Sequence, residues 1–200
     1  MAADRHAQQA REAAHRVARH SYGKLIAYLS ARTRDIARAE DALSEAFAAA
    51  LDGWGAKGIP ANPEGWLLTV AGRRLIDTAR QREARAGAAD HLKLLADELR
   101  DAGDGSDIPD ERLRLMFACA HPAIDRQIRS PLILQTVLGF DAALIAGCYL
   151  VSPTTMGQRL VRAKAKLKQA GIAFRLPDRA EMPQRLDAVL EAIYAAFTEG

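Results

Sequence analysis

Apolar residues along this chain recur every three to four positions, the spacing of one helical face, and no convincing run alternates with the period of two that a strand needs. The pattern predicts a helix over 2–31, polar early and apolar later at Leu25, Ile26, Tyr28 and Leu29. A second helix is expected over 35–51. Its apolar face carries Ile36, Leu43, Phe47 and Leu51, with Glu40, Asp41 and Glu45 on its other sides. Gly53, Gly55, Gly58 and Pro60 then predict a loop holding Trp54 and Lys57. Asn62 is a good N-cap and Pro63 a good first helical residue, so a third helix starts there and runs to about residue 85. Trp66, Leu67, Val70, Leu75 and Ile76 form its buried side, and Arg73, Arg74, Arg80, Arg82 and Arg85 carry its charge.

After a short helix expected over 91–99, the acidic, glycine-containing run at 101–107 reads as a flexible linker. A second helical block follows over 109–171. Its end is the most informative stretch, DAALIAGCYLVSPTTMGQRLVRAKAKLK (141–168). One helix is expected over 141–148, a turn at 149–151, and a second helix opening at Ser152 with Pro153 in its first turn. Met156, Leu160, Ala163 and Leu167 share the core-facing stripe of that helix, and Arg159, Arg162 and Lys166 share another. From 159 to 168 there are five Lys or Arg and no acid. One greasy face, one cationic face and small polar residues at the N-terminus describe a helix that fits a major groove. The same stripe also describes an ordinary solvated face.

Beyond a connector at 171–177, residues 179–198 read as an amphipathic helix with Leu186, Val189, Leu190, Ile193, Tyr194 and Phe197 on its greasy side. A lone helix does not keep such a face in water. The face is expected against the rest of the chain, a second copy, or a further segment.

Composition narrows the choice. The chain has 200 residues, 49% hydrophobic but only 6% aromatic, which favours helices over sheets. The expected class is all-α: two helical domains at 1–88 and 109–171, a linker at 89–108, and a further helical element starting at 172–200. Net charge is only +3, yet acids and bases gather in different segments, as suits a protein meeting both an acidic polymer and a protein partner. The two cysteines, Cys119 and Cys148, imply no disulfide framework and fit a reducing cytosol. The first 19 residues are too charged for a signal peptide, and no apolar run approaches a membrane span. Cytoplasmic placement is therefore expected, with no membrane partner.

Three segments in order, ARAEDALSEAFAAAL (37–51), NPEGWLLTVAGRRLID (62–77) and the block 111–168, resemble a bacterial RNA polymerase sigma factor of the sigma-70 family, in its extracytoplasmic-function (ECF) branch. The first is similar to region 2.2, the second to regions 2.3 and 2.4, the third to region 4. ERLRLMFACAHPAI (111–124) and LVRAKAKLKQAGIAFRLPD (160–178) further resemble the ECF subgroup with a helical C-terminal extension, whose first helix DAVLEAIYAAFTEG (187–200) resembles. Two positions depart from the family pattern. Ser44 precedes Glu45 where region 2.2 often has glutamine, and Leu144 precedes Ile145-Ala146 where glutamate is usual.

The resemblance implies a dissociable polymerase subunit that directs promoter recognition and transcription initiation and is not itself an enzyme. It implies that Glu40, Asp41 and Glu45 dock on the clamp helices of the polymerase core. It assigns the −10 element to Trp54, Lys57, Asn62, Arg73, Arg74, Arg80 and Arg82, with the 54–62 loop holding a flipped base and the arginines holding phosphates. The −35 element falls to Thr154, Thr155, Gln158, Arg159, Arg162 and Lys166. Promoter DNA and polymerase core are the implied partners, with self-association through the 179–198 helix a further expectation. Two other readings stay open: a helix-turn-helix regulator acting without polymerase, and a helical protein–protein adaptor. No serine-hydrolase elbow, phosphate loop or HExxH pattern is present. Cys119, His121 and Cys148 make a poor zinc set, so neither metal nor cofactor is expected.

Overall fold

The computed structural model describes the backbone of residues 2–83, 108 and 110–199, with side chains from Arg5 to Thr78, at Ile108 and from Asp110 to Thr198. Among the described residues every regular element is helical, as the periodicity predicts: α1 Ala2–Thr33, α2 Ile36–Lys57, α3 Pro63–Glu83, α4 Arg112–Cys119, α5 Arg126–Thr136, α6 Ala142–Cys148, α7 Pro153–Gln169 and α8 Met182–Glu199. The chain divides into two compact units, Met1–Leu25 with Arg38–Pro109, and Ile26–Ala37 with Asp110–Gly200. The short helix expected at 91–99 lies outside the described residues, as does the 89–108 linker apart from Ile108.

In the first unit, α2 buries Ala39, Leu43, Ala46, Ala50 and Trp54, and α3 buries Leu67, Leu68, Ala71 and Leu75. Two expectations for α2 need correction. Leu51, placed on the apolar face, is 49% exposed. The loop expected from Gly53 onward is helical as far as Lys57. The reason is tertiary. Trp54 is buried and meets Trp66 edge-on at a ring separation of 5.4 Å. Burying a tryptophan removes about 150–250 Å² of surface, or about 4–6 kcal/mol at about 25 cal/mol per Å². Each helical glycine costs only about 1 kcal/mol. The helix stops instead at Gly58, whose φ of +89° suits a residue without a Cβ and whose N–H donates to the Trp54 carbonyl at 3.1 Å. α3 then starts as its sequence suggests, with Asn62 Oδ1 accepting the Gly65 N–H at 3.0 Å. Its Glu64 accepts a hydrogen bond from Ser21 of α1 at 2.5 Å and faces Lys24 at 3.6 Å.

In the second unit α5 is the hub, packing on α4, α6, α7 and α8. Ile128, Leu132, Ile133 and Leu134 are its buried apolar residues. α8 folds back onto α4 and α5, and of the stripe the sequence suggests only Val189 is buried. The residues buried on α8 are Arg185, Ala188, Val189 and Ala192. Leu186, Leu190, Ile193, Tyr194 and Phe197 remain 37–87% exposed. Alanines allow α8 to approach α5 closely, and Arg185 reaches Glu181 at 3.1 Å one turn earlier. Tyr149 ties three elements together. It shares a hydrogen bond with Ser130 at 2.7 Å, and its hydroxyl donates to Glu191 of α8 at 3.3 Å.

Candidate nucleic-acid interface

In the second unit the site is built around α6, a turn and α7. Asp141 caps α6, its carboxylate accepting the N–H groups of Ala143 and Leu144, both at 2.8 Å. α6 closes with two paired bonds: Leu150 N–H to the Gly147 carbonyl at 3.3 Å, and Val151 N–H to the Ala146 carbonyl at 3.1 Å. That arrangement forces Leu150 into the left-handed region, at φ 53°. Ser152 then caps α7, accepting the Thr155 N–H at 3.1 Å, with Pro153 in the first turn. Met156, Leu160, Ala163 and Leu167 are buried, as their spacing predicts.

The outer surface of α7 sorts the expected readout residues. Thr154 and Gln158 are exposed. The Thr155 hydroxyl shares a hydrogen bond with Ser152 at 2.8 Å, so it serves the cap. Arg159, Arg162 and Lys166 come together as one wall of a cleft of about 280 Å³. Asp125 and Gln127 at the start of α5, with Ile124, Ile128 and Ala163, complete it. The Asp125 carboxylate is occupied in capping α5 through the Gln127 N–H at 2.9 Å. Arg129 braces the preceding loop by donating to the carbonyls of Ile124 at 3.0 Å and Pro122 at 3.2 Å. His121 accepts the Ala123 N–H at 3.1 Å, and its pKa is lowered, first by burial and then by Arg185. A cleft walled by three cations and one occupied acid suits a phosphate or another anion. Spacing alone also leaves unremarked the exposed large hydrophobic residue of this helix, Val161, which is 67% exposed.

In the first unit a second cleft, of about 210 Å³, lies between α2 and α3 and is lined by Arg38, Asp41, Ala42, Glu45, Arg74, Leu75 and Thr78. It unites residues assigned to different partners, because Glu45 Oε2 lies 3.1 Å from Arg74 Nε, both more than half exposed. Arg38, one turn before Asp41 on the same helix, joins this cleft without any sequence signal that marks it. Glu40 is half-buried near Tyr22. The Tyr22 phenol is pushed up to about 12, by burial first and by the Glu40 charge second.

Of the residues assigned to the −10 element, Lys57, Arg73 and Arg74 are exposed, and Asn62 caps α3. Trp54 requires a correction: it sits inside a helix, 3% exposed against Trp66, and presents no ring face to a base. The side chains of Arg80 and Arg82 lie outside the described residues. Among the described residues no three His, Cys, Asp or Glu side chains cluster as metal ligands. Cys119 is buried with its sulfur 3.5 Å from the Thr136 hydroxyl, and Cys148 is exposed. No described helix is long and apolar enough to cross a membrane.

Residues 8–85 match sigma-70 region 2. The match covers most of α1 and all of α2 and α3, including the Glu45–Arg74 pair. The chain is also 39% identical over 184 residues to an uncharacterized protein of Rhizobium meliloti (strain 1021). That alignment takes in 89% of this chain but only 42% of the relative, so the chain spans less than half of the relative's length. No solved structure matches.

Proposed function

We propose that the chain is a sigma factor that brings RNA polymerase core to specific promoters, region 2 engaging core and the −10 element and the second unit engaging the −35 element. The observation that carries the reading is the pairing, in one chain, of a region 2 match with a capped two-helix element whose second helix bears Arg159, Arg162 and Lys166 on one wall. Nothing in region 2 alone would require the second unit to carry such a stripe. In this reading α6 and α7 form a DNA-binding helix-turn-helix, α7 entering the major groove. Asp41 and Glu45 offer core an acidic surface, with Glu40 beside them at the Tyr22 hydroxyl. Lys57, Asn62, Arg73 and Arg74 face the −10 strand. The polymerase supplies the nucleotide chemistry. The ECF branch is supported by the order of the three sequence segments, and a cytoplasmic setting follows from the polymerase partner.

The test is co-purification with RNA polymerase core, followed by sequencing of the start sites that the reconstituted holoenzyme uses on genomic fragments. Retention by core and a shared pair of upstream elements are expected. A chain that binds duplex DNA tightly without core, and is not retained by it, would replace this reading with that of a regulator acting without polymerase.

A further inference from the structure

The outer face of α7 carries a ridge of which the promoter-reading assignment uses Thr154 and Gln158 but not Val161 or Ala165. Positions 154, 158, 161 and 165 follow one another at spacings of four, three and four, which makes them one ridge along the helix. The ridge lies opposite Met156, Leu160, Ala163 and Leu167, the buried residues of α7. Its members Thr154, Gln158, Val161 and Ala165 are all exposed and all uncharged. The cations stand to the side. Arg159, Arg162 and Lys166 form one shoulder, walling the cleft beside Asp125 and Gln127, and Lys164 stands on the other.

Folding does not account for Val161. A β-branched side chain is a poorer helix former than alanine or a long charged residue. At 67% exposure it gains little from burial. An uncharged ridge between cationic shoulders matches a major groove, where phosphates flank the groove and base edges form its floor. The apolar group on that floor is the thymine C5-methyl. We propose that Val161 is a specificity-determining residue whose methyl groups pack on the C5-methyl of one thymine, with Gln158 one turn earlier hydrogen-bonding a neighbouring base. This rests on the reading of α7 as the helix that enters duplex DNA.

The experiment uses two pools of randomised duplexes, one synthesised with thymidine and one with deoxyuridine, which differs only by that methyl. The full chain, alone and with polymerase core, selects from each pool, as do Val161→Ala and Arg162→Ala variants. For the unsubstituted chain, one thymine position is expected to be enriched in the thymidine pool and about fourfold weaker in the deoxyuridine pool, the effect of one buried methyl group. Val161→Ala is expected to abolish that difference at that position alone, while Arg162→Ala leaves it. Alanine is the better helix former, so unchanged or raised thermal stability confirms that Val161→Ala folds. If a sequence is selected but no position depends on the methyl, or Val161→Ala keeps the dependence, the inference is overturned and the promoter reading stands. If no sequence is selected even with core, the reading of α7 falls and takes the inference with it.

Discussion

Replacing Leu150 by glycine is expected to stabilise the protein, although it deletes a large apolar side chain. Leu150 follows the cap of α6 at φ 53° and is 94% exposed. Holding an L-residue in the left-handed region costs roughly 1–2 kcal/mol. Glycine relieves that strain but brings back about 0.5–1 kcal/mol through its freer unfolded chain. At 94% exposure there is almost no packing to lose, so a net gain of about 0.5–1 kcal/mol remains. The fold supplies its own control. α7 ends with the same pair of bonds, Gly171 N–H to Lys168 at 3.1 Å and Ile172 N–H to Leu167 at 3.2 Å, and there the left-handed residue is glycine, at φ 58°. Gly171→Ala should therefore destabilise by about 1 kcal/mol. Leu150→Ala keeps the strain and should change stability by less than about 0.5 kcal/mol. Urea unfolding followed by far-UV circular dichroism measures all three. The reasoning fails if Leu150→Gly unfolds at lower urea than Leu150→Ala. Loss of affinity for core or DNA in both Leu150 variants would show that the side chain serves a partner.

Three further outcomes are expected. Reversing Asp41 and Glu45 to lysine should weaken binding to polymerase core at least tenfold in a titration, with the fold kept, because an exposed pair such as Glu45–Arg74 contributes at most about 1 kcal/mol; unchanged core affinity removes both residues from the docking surface. Arg162→Ala should cost about 1–3 kcal/mol at one base pair if the guanidinium reads a base, whereas an arginine holding only phosphate weakens all sequences equally; no loss in a competition assay on −35 duplexes refutes both roles. Tyr22→Phe should flatten the alkaline limb of stability: a folded pKa of about 12 against about 10 unfolded means the contribution is whole below pH 10 and is lost at about 1.4 kcal/mol per pH unit as pH rises from 10 to 12, so parallel urea midpoints for the two proteins across that window would contradict the burial of this phenol.

Much of the fold was legible because helix signals are local. Asn62, Asp141 and Ser152 each cap a helix that the periodicity also predicts, and Pro153 sits where its missing N–H costs nothing. What misled was competition between local and distant terms. Gly53 and Gly55 read as a loop, yet they are carried through α2 because Trp54 has a partner in Trp66. Local propensity around residue 54 does not register that partner, which lies beyond the helix end on α3. The same blindness affected α8, where large apolar residues drew the expected contact face but the alanine side, with Arg185 held by Glu181, fits closer to α5.

The binding surfaces were legible in composition and illegible in arrangement. Counting cations along α7 finds Arg159, Arg162 and Lys166, but only the packed helix shows them walling a cleft with the start of α5, which lies well before α7 in the chain. The same packing leaves the centre of the outer face to uncharged residues. In the proposed reading a charge count therefore points to the shoulders of α7, where phosphate would be held, and passes over the ridge, where base identity would be read. Trp54 is the converse case. An aromatic ring beside glycines invites a stacking role, yet a ring is available to a base only where the core has not already taken it, and here it has. Exposure, which the sequence does not state, separates the two: Trp54 is shut in the core, and Val161 stands on the face that the proposed reading turns toward duplex DNA.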